Sequence, residues 1–496
     1  MSDLKFKLHN RQFVIGSQPF YADDDWCCRQ LDSSSWISYS PNLRVNWATD
    51  KNGCVWYLLG LAVDTLTNTD LIAQIRLLSS EQVVQSYFNW TGRWILVGQG
   101  QIHLDANGLL GCFYGSNSQG ETWISSSCAL LIEILQYSNY DARYLEYGKG
   151  ISWYTPPLSR FKDIKRLLAS QILDFKHDRL IHRPLMPKIE VDRHYDETIK
   201  LVKESLVTAL QNIGQQPQQL WLGLTAGYDS RLILAIAKSA KIEFTTFTRI
   251  AGRMSLADRL LPSKLAREFS VPHVWLRNKP PKQQQHRREL VKQHSVGSVS
   301  DGDAEPFIMG VRDSLEGISF GGHGFAIASG FHDLRQLPAT FDSPQTGAAQ
   351  IAALFNEPED SSATEGLRHW LTWVEAHPQS HLDWRDRFFL EQRQAGWLSA
   401  KEQVYDLNSL ERFPILNSAK IYSLLLSIPE SERLGSLVQV ELLTQLTPEL
   451  LQYPFNPPDT YFNPWLKVAV RSRDRPQYIY TVMKDKLLAP LRLSRK

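Results

Sequence analysis

The sequence predicts a two-part α/β protein, in which a layered, largely antiparallel β half precedes a half built on a parallel sheet flanked by helices. Three observations carry this expectation. The chain has 496 residues, too many for one hydrophobic core. Residues 1–185 are rich in short β-prone runs separated by turn signals. From Leu220 onward, short apolar strands alternate with helix-length stretches, the pattern of strand–helix–strand units.

In the first half, Trp94 to Val97 is apolar and β-prone, and Gln101 to Leu104 follows it. Asp-Ala-Asn-Gly at 105–108 is a turn cluster. Leu109 to Tyr114 resumes the strand pattern, Trp123 to Ser125 adds another strand, and Cys128 to Leu135 reads as a buried helix. Two prolines among charges in His182 to Lys188 (HRPLMPK) mark a boundary. They divide the chain into residues 1–185 and 190–496.

In the second half, Ile199, Val202, Leu206, Leu210 and Ile213 share one face of an amphipathic helix. Leu220 to Leu224 is a strand, Arg231 to Ser239 a helix, and Ile242 to Thr248 a β-branched and aromatic strand. Ser255 to Phe269 is a helix with Ser255 and Asp258 in capping-box spacing, and Pro262 predicts a break or kink in it. His273 to Leu276 is a third strand. Lys279 to Arg288 reads as a solvated linker, and the chain from Glu365 is mostly helical.

Composition narrows the function class. Net charge is +2, with 43% hydrophobic and 21% charged residues, the mix of a soluble enzyme with no argument for nucleic acid. No run approaches a membrane span, and MSDLKFKLHNRQ lacks a signal-peptide core. The five cysteines form no CxxC pair, and none lies beyond Cys128. A cytoplasmic protein with reduced, structural cysteines is expected.

The stretch Trp221 to Lys238, WLGLTAGYDSRLILAIAK, carries the most chemistry. A strand runs through a loop into a helix, where open parallel sheets bind ligands. Gly227 permits close backbone approach, Thr225 and Ser230 offer hydroxyls, and first-turn amides favour phosphate. Arg231 either adds charge there or points to solvent. Asp229 beside phosphate would repel it unless a cation intervenes, so it is the candidate ligand for Mg²⁺; the alternative is a helix-capping carboxylate. The GxxxxGK[ST] loop and the G-x-G-x-x-G pattern are both absent.

Leu224 to Arg231 resembles the pyrophosphatase loop S-G-G-x-D-S of asparagine-synthase-like enzymes, with Thr225 for the serine and Ala226 for the first glycine. GRWILVGQGQIHLDANGLLGCFYG and WISSSCALL are similar to the amidotransferase half of that family, and ERFPILN (Glu411 to Asn417) to its "RVPLLD" segment. The resemblance implies an Ntn-hydrolase-like α+β sandwich followed by a PP-loop ATP pyrophosphatase domain. It implies ATP and Mg²⁺ as cofactors, with pyrophosphate on Leu224, Thr225, Ala226, Gly227, Tyr228, Asp229, Ser230 and Arg231. It places Thr246, Phe247 and Thr248 on the strand whose edge meets adenine. A second glycine loop, SFGGHGFAIASG (Ser319 to Gly330), supplies Gly321, Gly322 and Gly324, with His323 as a candidate acid or base.

The sequence also departs from that family. Ser2 and Asp3 stand where the glutaminase has its N-terminal cysteine and a glycine. Ala326 and Ile327 replace an Asp-Glu pair. Leu437 to Leu446 (LVQVELLTQL) has no lysine where K-x-x-L-R is expected. Such a lysine or metal is worth roughly 3–4 kcal/mol of transition-state stabilisation. Asp301, Asp303 and Glu305 in SDGDAEP are substitute metal candidates against a plain polar turn, and Lys467, Lys484 and Lys486 are distant substitutes for the charge. The resemblance then implies a glutamine-independent, AMP-forming amide ligase, joining a small-molecule or peptide carboxylate to an amine. The competing expectation is a non-catalytic nucleotide-binding or scaffolding homologue within a biosynthetic complex. A homo-oligomer or a pathway partner fits either.

Overall fold

Strand pairing organises the chain into two six-stranded antiparallel sheets and one five-stranded parallel sheet. The structure is a computed structural model and describes residues 7–137, 145, 148–251, 254–277, 283–329, 332–463 and 465. Ser2, Lys467, Lys484, Lys486 and part of the 279–288 linker lie outside the described residues.

The antiparallel sheets pack face to face. Phe13, Ile15, Ile37 and Ile124 of one meet Leu59, Ile95, Val97 and Ile102 of the other in a shared core. Helices Leu71–Arg76 and Ser80–Ser86 cover the outer side of the second sheet over Trp56, Trp90 and Trp94. Helix Cys128–Ile134 covers the first over Val14 and Trp123. Strands Trp90–Gly98, Gln101–Leu104 and Thr122–Ser125 contain the runs expected from sequence. The next strand starts only at Phe113, later than the Leu109 expected. The fully buried Asp105 carboxylate accepts from the amides of Asn107 and Leu109, which holds that backbone in a turn.

The parallel sheet is entered through helix α1 (Tyr195–Gly214) and built from β1 (Leu220–Gly223), helix α2 (Tyr228–Ser239), β2 (Thr245–Ile250), helix α3 (Leu256–Glu268) and β3 (His273–Arg277). Helix α4 (Asp301–Ile308), β4 (Gly317–Phe320), helix α5 (Ser399–Tyr405), β5 (Leu410–Phe413) and helix α6 (Leu437–Leu446) complete it. The strand order is β3-β2-β1-β4-β5, all parallel. One face, through Leu222, Ile318 and Phe320, packs on α1, α2 and α6. The other, through Trp221, Phe247 and Leu410, packs on Met309, Val311 and Leu315.

Three expectations need correction. Strand β2 begins at Thr245, not Ile242, because Lys241 turns through φ 57° and delays the strand. Helix α3 runs unbroken past buried Pro262; a capped start at Ser255 outweighs one missing amide. SDGDAEP is the helical start of α4, capped by Ser300, and not a turn. Its carboxylates pair with Arg288, Lys401 and Arg249, and no metal-binding cluster exists among the described residues. No helix of the described residues is long and apolar enough to cross a membrane.

The two kinds of sheet are joined through buried polar contacts. Arg93 forks onto Asp406 with two 2.7 Å bonds. Asn417 donates to Asp105 and to the Gly92 carbonyl, each at 2.7 Å. Near the start of the first strand, the His9 amide donates to His294 Nδ1 at 3.2 Å, and His294 Nε2 donates to the Gln403 carbonyl at 2.8 Å. Burial lowers His9 to about 3, helped by the adjacent His294, and lowers His294 to about 4.

Both rings are therefore neutral in the folded chain and take up protons only on unfolding. The unfolded state, with histidine near 6.5, binds more protons below that pH, so stability falls on acidification from about pH 6.5 toward 4. Each histidine is expected to cost about 1–2 kcal/mol by pH 5. Urea unfolding at pH 7 and pH 5 should show this loss, and His294→Gln should shrink it. An unchanged pH dependence in that variant would remove His294 from the account.

Candidate functional site

The strand order reverses between β1 and β4, so their loops diverge to opposite sides and leave a crevice at their carboxyl ends. Both glycine-bearing loops lie there. A β-carbon placed on Gly322 would lie 2.7 Å from Asp229 Cβ and 3.1 Å from its carbonyl oxygen. Glycine at 322 is thus what lets the second loop close onto the first.

The first loop is tied down from within. The Ser230 hydroxyl accepts from the Thr225 amide at 3.0 Å and lies 2.9 Å from the Thr225 hydroxyl. The Ala226 amide donates to Asp258 at 2.8 Å, and Asp258 also belongs to the cap of α3. Helix α2 starts at Tyr228 with Gly227 as its cap residue, three residues earlier than expected. Asp229 therefore sits inside the first turn and does not cap the helix. Its amide and those of Tyr228 and Ser230 have no intrahelical acceptor.

Asp229 is half-buried, and desolvation raises its pKa against one weak contact, Gln439 Nε2 at 3.4 Å. Gln439 belongs to α6, the stretch where the resemblance places a lysine. It also reaches Ser329 Oγ of the second loop at 3.3 Å, and its Oε1 is buried without a partner. A neutral carboxamide thus bridges the two loops. One carboxylate is too few for a protein cage around Mg²⁺, but it suffices where phosphate oxygens complete the shell.

His323 follows Gly322 and is open to solvent. It nevertheless lies deep among protein atoms, and desolvation, followed by repulsion from Arg412, lowers it to about 4. Lys401 and Arg312 act in the same direction as Arg412, and Glu402 opposes them. His323 is therefore a neutral ring at pH 7, able to accept a proton but with none to donate as an imidazolium acid.

Several other expected ligands serve the scaffold instead. Arg231 is fully buried; its guanidinium donates to the carbonyls of Ala226, Leu450, Tyr453 and Pro454 and stacks on Phe455. It clamps residues 450–455 and turns away from the phosphate side of the loop. Leu224 is core, with its amide and carbonyl bonded to β2. Thr248 spends its hydroxyl on Leu224, and Thr246 on the Pro272 carbonyl. Strand β2 is interior, flanked by β1 and β3, so it offers no free edge. Gly324, at φ 112°, packs on Leu416 and Tyr422. Asp229 meets Gly322 at the crevice, with Thr225, Gly227, Tyr228 and Ser230 in the same loop as Asp229 and Gly321 and His323 flanking Gly322.

Sequence reasoning missed the cover over this loop. Phe455 stacks on Tyr228 with ring centroids 3.8 Å apart and planes 10° from parallel. The Asn456 amide donates to the Ala226 carbonyl at 3.2 Å, and its side chain borders Gly227. No sequence reading singled out Phe455 or Asn456, because contact across the chain is invisible to periodicity.

No family model and no curated protein matches this chain. Among solved structures it is similar to glutamine-dependent NAD+ synthetase from Acinetobacter baumannii in complex with ADP, at 18% identity and a TM-score of 0.19. That alignment covers 33% of this chain and 31% of the other, so it spans about a third of that enzyme's length. A likeness of this size carries no argument about function.

The Gly322 contact makes a paired prediction. Gly322→Ala should cost about 1–3 kcal/mol, because its β-carbon meets backbone as well as Cβ of Asp229. Gly321→Ala, whose nearest neighbour would be His323 Nδ1 at 3.8 Å, should stay within about 0.5 kcal/mol. Denaturant midpoints decide it; equal effects would show that the loops do not press on each other.

Proposed function

We propose that the chain is an ATP-dependent, AMP-forming amide-bond ligase of the asparagine-synthase-like kind, independent of glutamine. Residues 1–185 would be a retired Ntn-type glutaminase half and residues 190–496 the synthetase half. The observation that carries the reading is the convergence of the two glycine loops on Asp229 at the sheet's switch point. In this reading the amides of Tyr228 to Ser230 hold the pyrophosphate end of ATP. Asp229 holds Mg²⁺, which supplies charge neutralisation between carboxylate and phosphate. Neutral His323 accepts the proton that an attacking amine must shed. The carboxylate substrate is a small molecule or peptide, and the proposed setting is cytoplasmic biosynthesis.

A second reading is a nucleotide-binding or scaffolding homologue without turnover. Gln439 favours it, since a neutral carboxamide, and not a cation, contacts Asp229 where the resemblance places a lysine.

Two measurements separate these readings. Thermal unfolding with millimolar ATP and Mg²⁺ should rise if nucleotide binds, by about 2.7 kcal/mol of stability at a hundredfold excess over Kd. Pyrophosphate release, assayed with candidate carboxylates and amines, should fall about 10²- to 10³-fold in Asp229→Ala. No thermal shift would reject nucleotide binding. A shift with no release would support the second reading, and equal release by both proteins would reject the role of Asp229.

A further inference from the structure

A cavity lies where residues 1–185 meet the second half of the chain. Ser159, Arg160 and Arg166 line it from the first half, and Ser298, Gly396 and Gln403 from the second. It leaves about 20 Å³ for the centre of a water-sized occupant, which is room for one. Two arginines line it, and no carboxylate among the described residues does. Gly396 belongs to the π-helical stretch Phe389–Leu398. A β-carbon there would lie 2.3 Å from the Trp153 ring, so this wall of the cavity needs glycine. Helical turns of the π kind recur at functional sites.

Arg166 is only 5% exposed. Its Nη2 donates to the Ser399 hydroxyl at 2.6 Å and to the Gly108 carbonyl at 3.3 Å, and its guanidinium lies over the Phe113 ring. Among the described residues its Nε and Nη1 have no acceptor and its charge has no ion pair. Both nitrogens stay accessible to a water-sized contact, and the residue lines the cavity. Burial lowers its pKa to about 10, although Cys112 and Asp105 favour its charge. Asp105 cannot do more, because its oxygens already accept from the amides of Trp94, Asn107 and Leu109 and from the Asn417 side chain. The Ser298 hydroxyl, across the cavity's two-sided lining, has no hydrogen bond among the described residues. A water would meet these donors but leave a buried guanidinium without a counter-charge, which is costly.

We propose that this cavity is a binding site for one small monovalent anion of chloride size, held by the uncommitted guanidinium donors of Arg166 and by the Ser298 hydroxyl. Hydrogen bonds between two ionised partners are the strong kind, and one monovalent anion matches one guanidinium. Phosphate is larger and more highly charged, and it exceeds room for a single water-sized occupant. Because both halves of the chain line the cavity, the bound anion bridges them. The site stands on the cavity and its lining and does not depend on ATP chemistry.

The test uses the full chain without nucleotide, at constant ionic strength, with sodium gluconate replaced stepwise by sodium chloride. Gluconate is too large to enter. The unfolding temperature of the wild type is expected to rise with chloride and level off, as binding at one site requires. Arg166→Gln is expected to raise the half-saturating chloride concentration about tenfold or more. Arg166→Lys, which keeps the charge, is expected to raise it less, and Ser298→Ala to raise it severalfold. A wild-type crystal grown in sodium bromide is expected to show the anomalous signal of bromide beside Arg166. A merely structural arginine would give no levelling rise, or the same rise in all four proteins, and either result overturns the proposal. Bromide absent from Arg166 overturns it too. If Arg166→Gln does not fold, Ser298→Ala and the bromide position decide the matter. A levelling rise with phosphate and none with chloride overturns the choice of anion. Failure here leaves the ATP reading intact, since no nucleotide takes part.

Discussion

The buried fork between Arg93 and Asp406 ties the antiparallel half of the molecule to the machinery of the parallel half. Removing two charges from water is expensive, and the pair is stable only because each charge answers the other at 2.7 Å with both side chains buried. Its position matters more than its strength. Asp406 lies at the end of α5, and α5 also carries Lys401 and Glu402, whose charges act on His323. The β-sandwich therefore serves as the fixed wall against which the charged side of the crevice is set. Asp105 does the same on the other side, holding Asn417 just beyond β5.

The site itself follows from topology. Once β4 lies beside β1 and opposite β2, two loops must part at their carboxyl ends. Gly322 then brings them back into contact over Asp229. The strain of that approach is avoided by having no side chain, so the geometry of the crevice depends on a missing methyl group. Arg231, beneath, fixes the segment that covers the loop, and the arginine expected to greet phosphate instead keeps the cover in place.

Much of this was legible in the sequence because periodicity is local. The apolar faces of α1 and α2, the strands on either side of 105–108, and the strand–loop–helix at 220–239 all follow from spacing within one element. The failures share a different cause. Lys241 moved the start of β2 through a left-handed turn, and Ser300 capped a helix where an acidic turn was expected. Arg231 and Gln439 were misjudged or missed because their roles depend on partners more than a hundred residues away. No pattern along the chain encodes which carboxylate an arginine will find.

The charges in and around the crevice are unequal in a way that bears on what enters it. At one end Asp229 has only an amide for company, and burial disfavours its charge. At the other, Arg412 and Lys401 are each answered by a carboxylate, Glu402 and Asp303. Among the described residues Asp229 has no ion pair, although arginines and a lysine lie close enough to act on His323. Natural sequences sustain such mismatches where function requires them. A cation at Asp229 would satisfy it. On the proposed reading that cation is Mg²⁺ brought with a nucleotide.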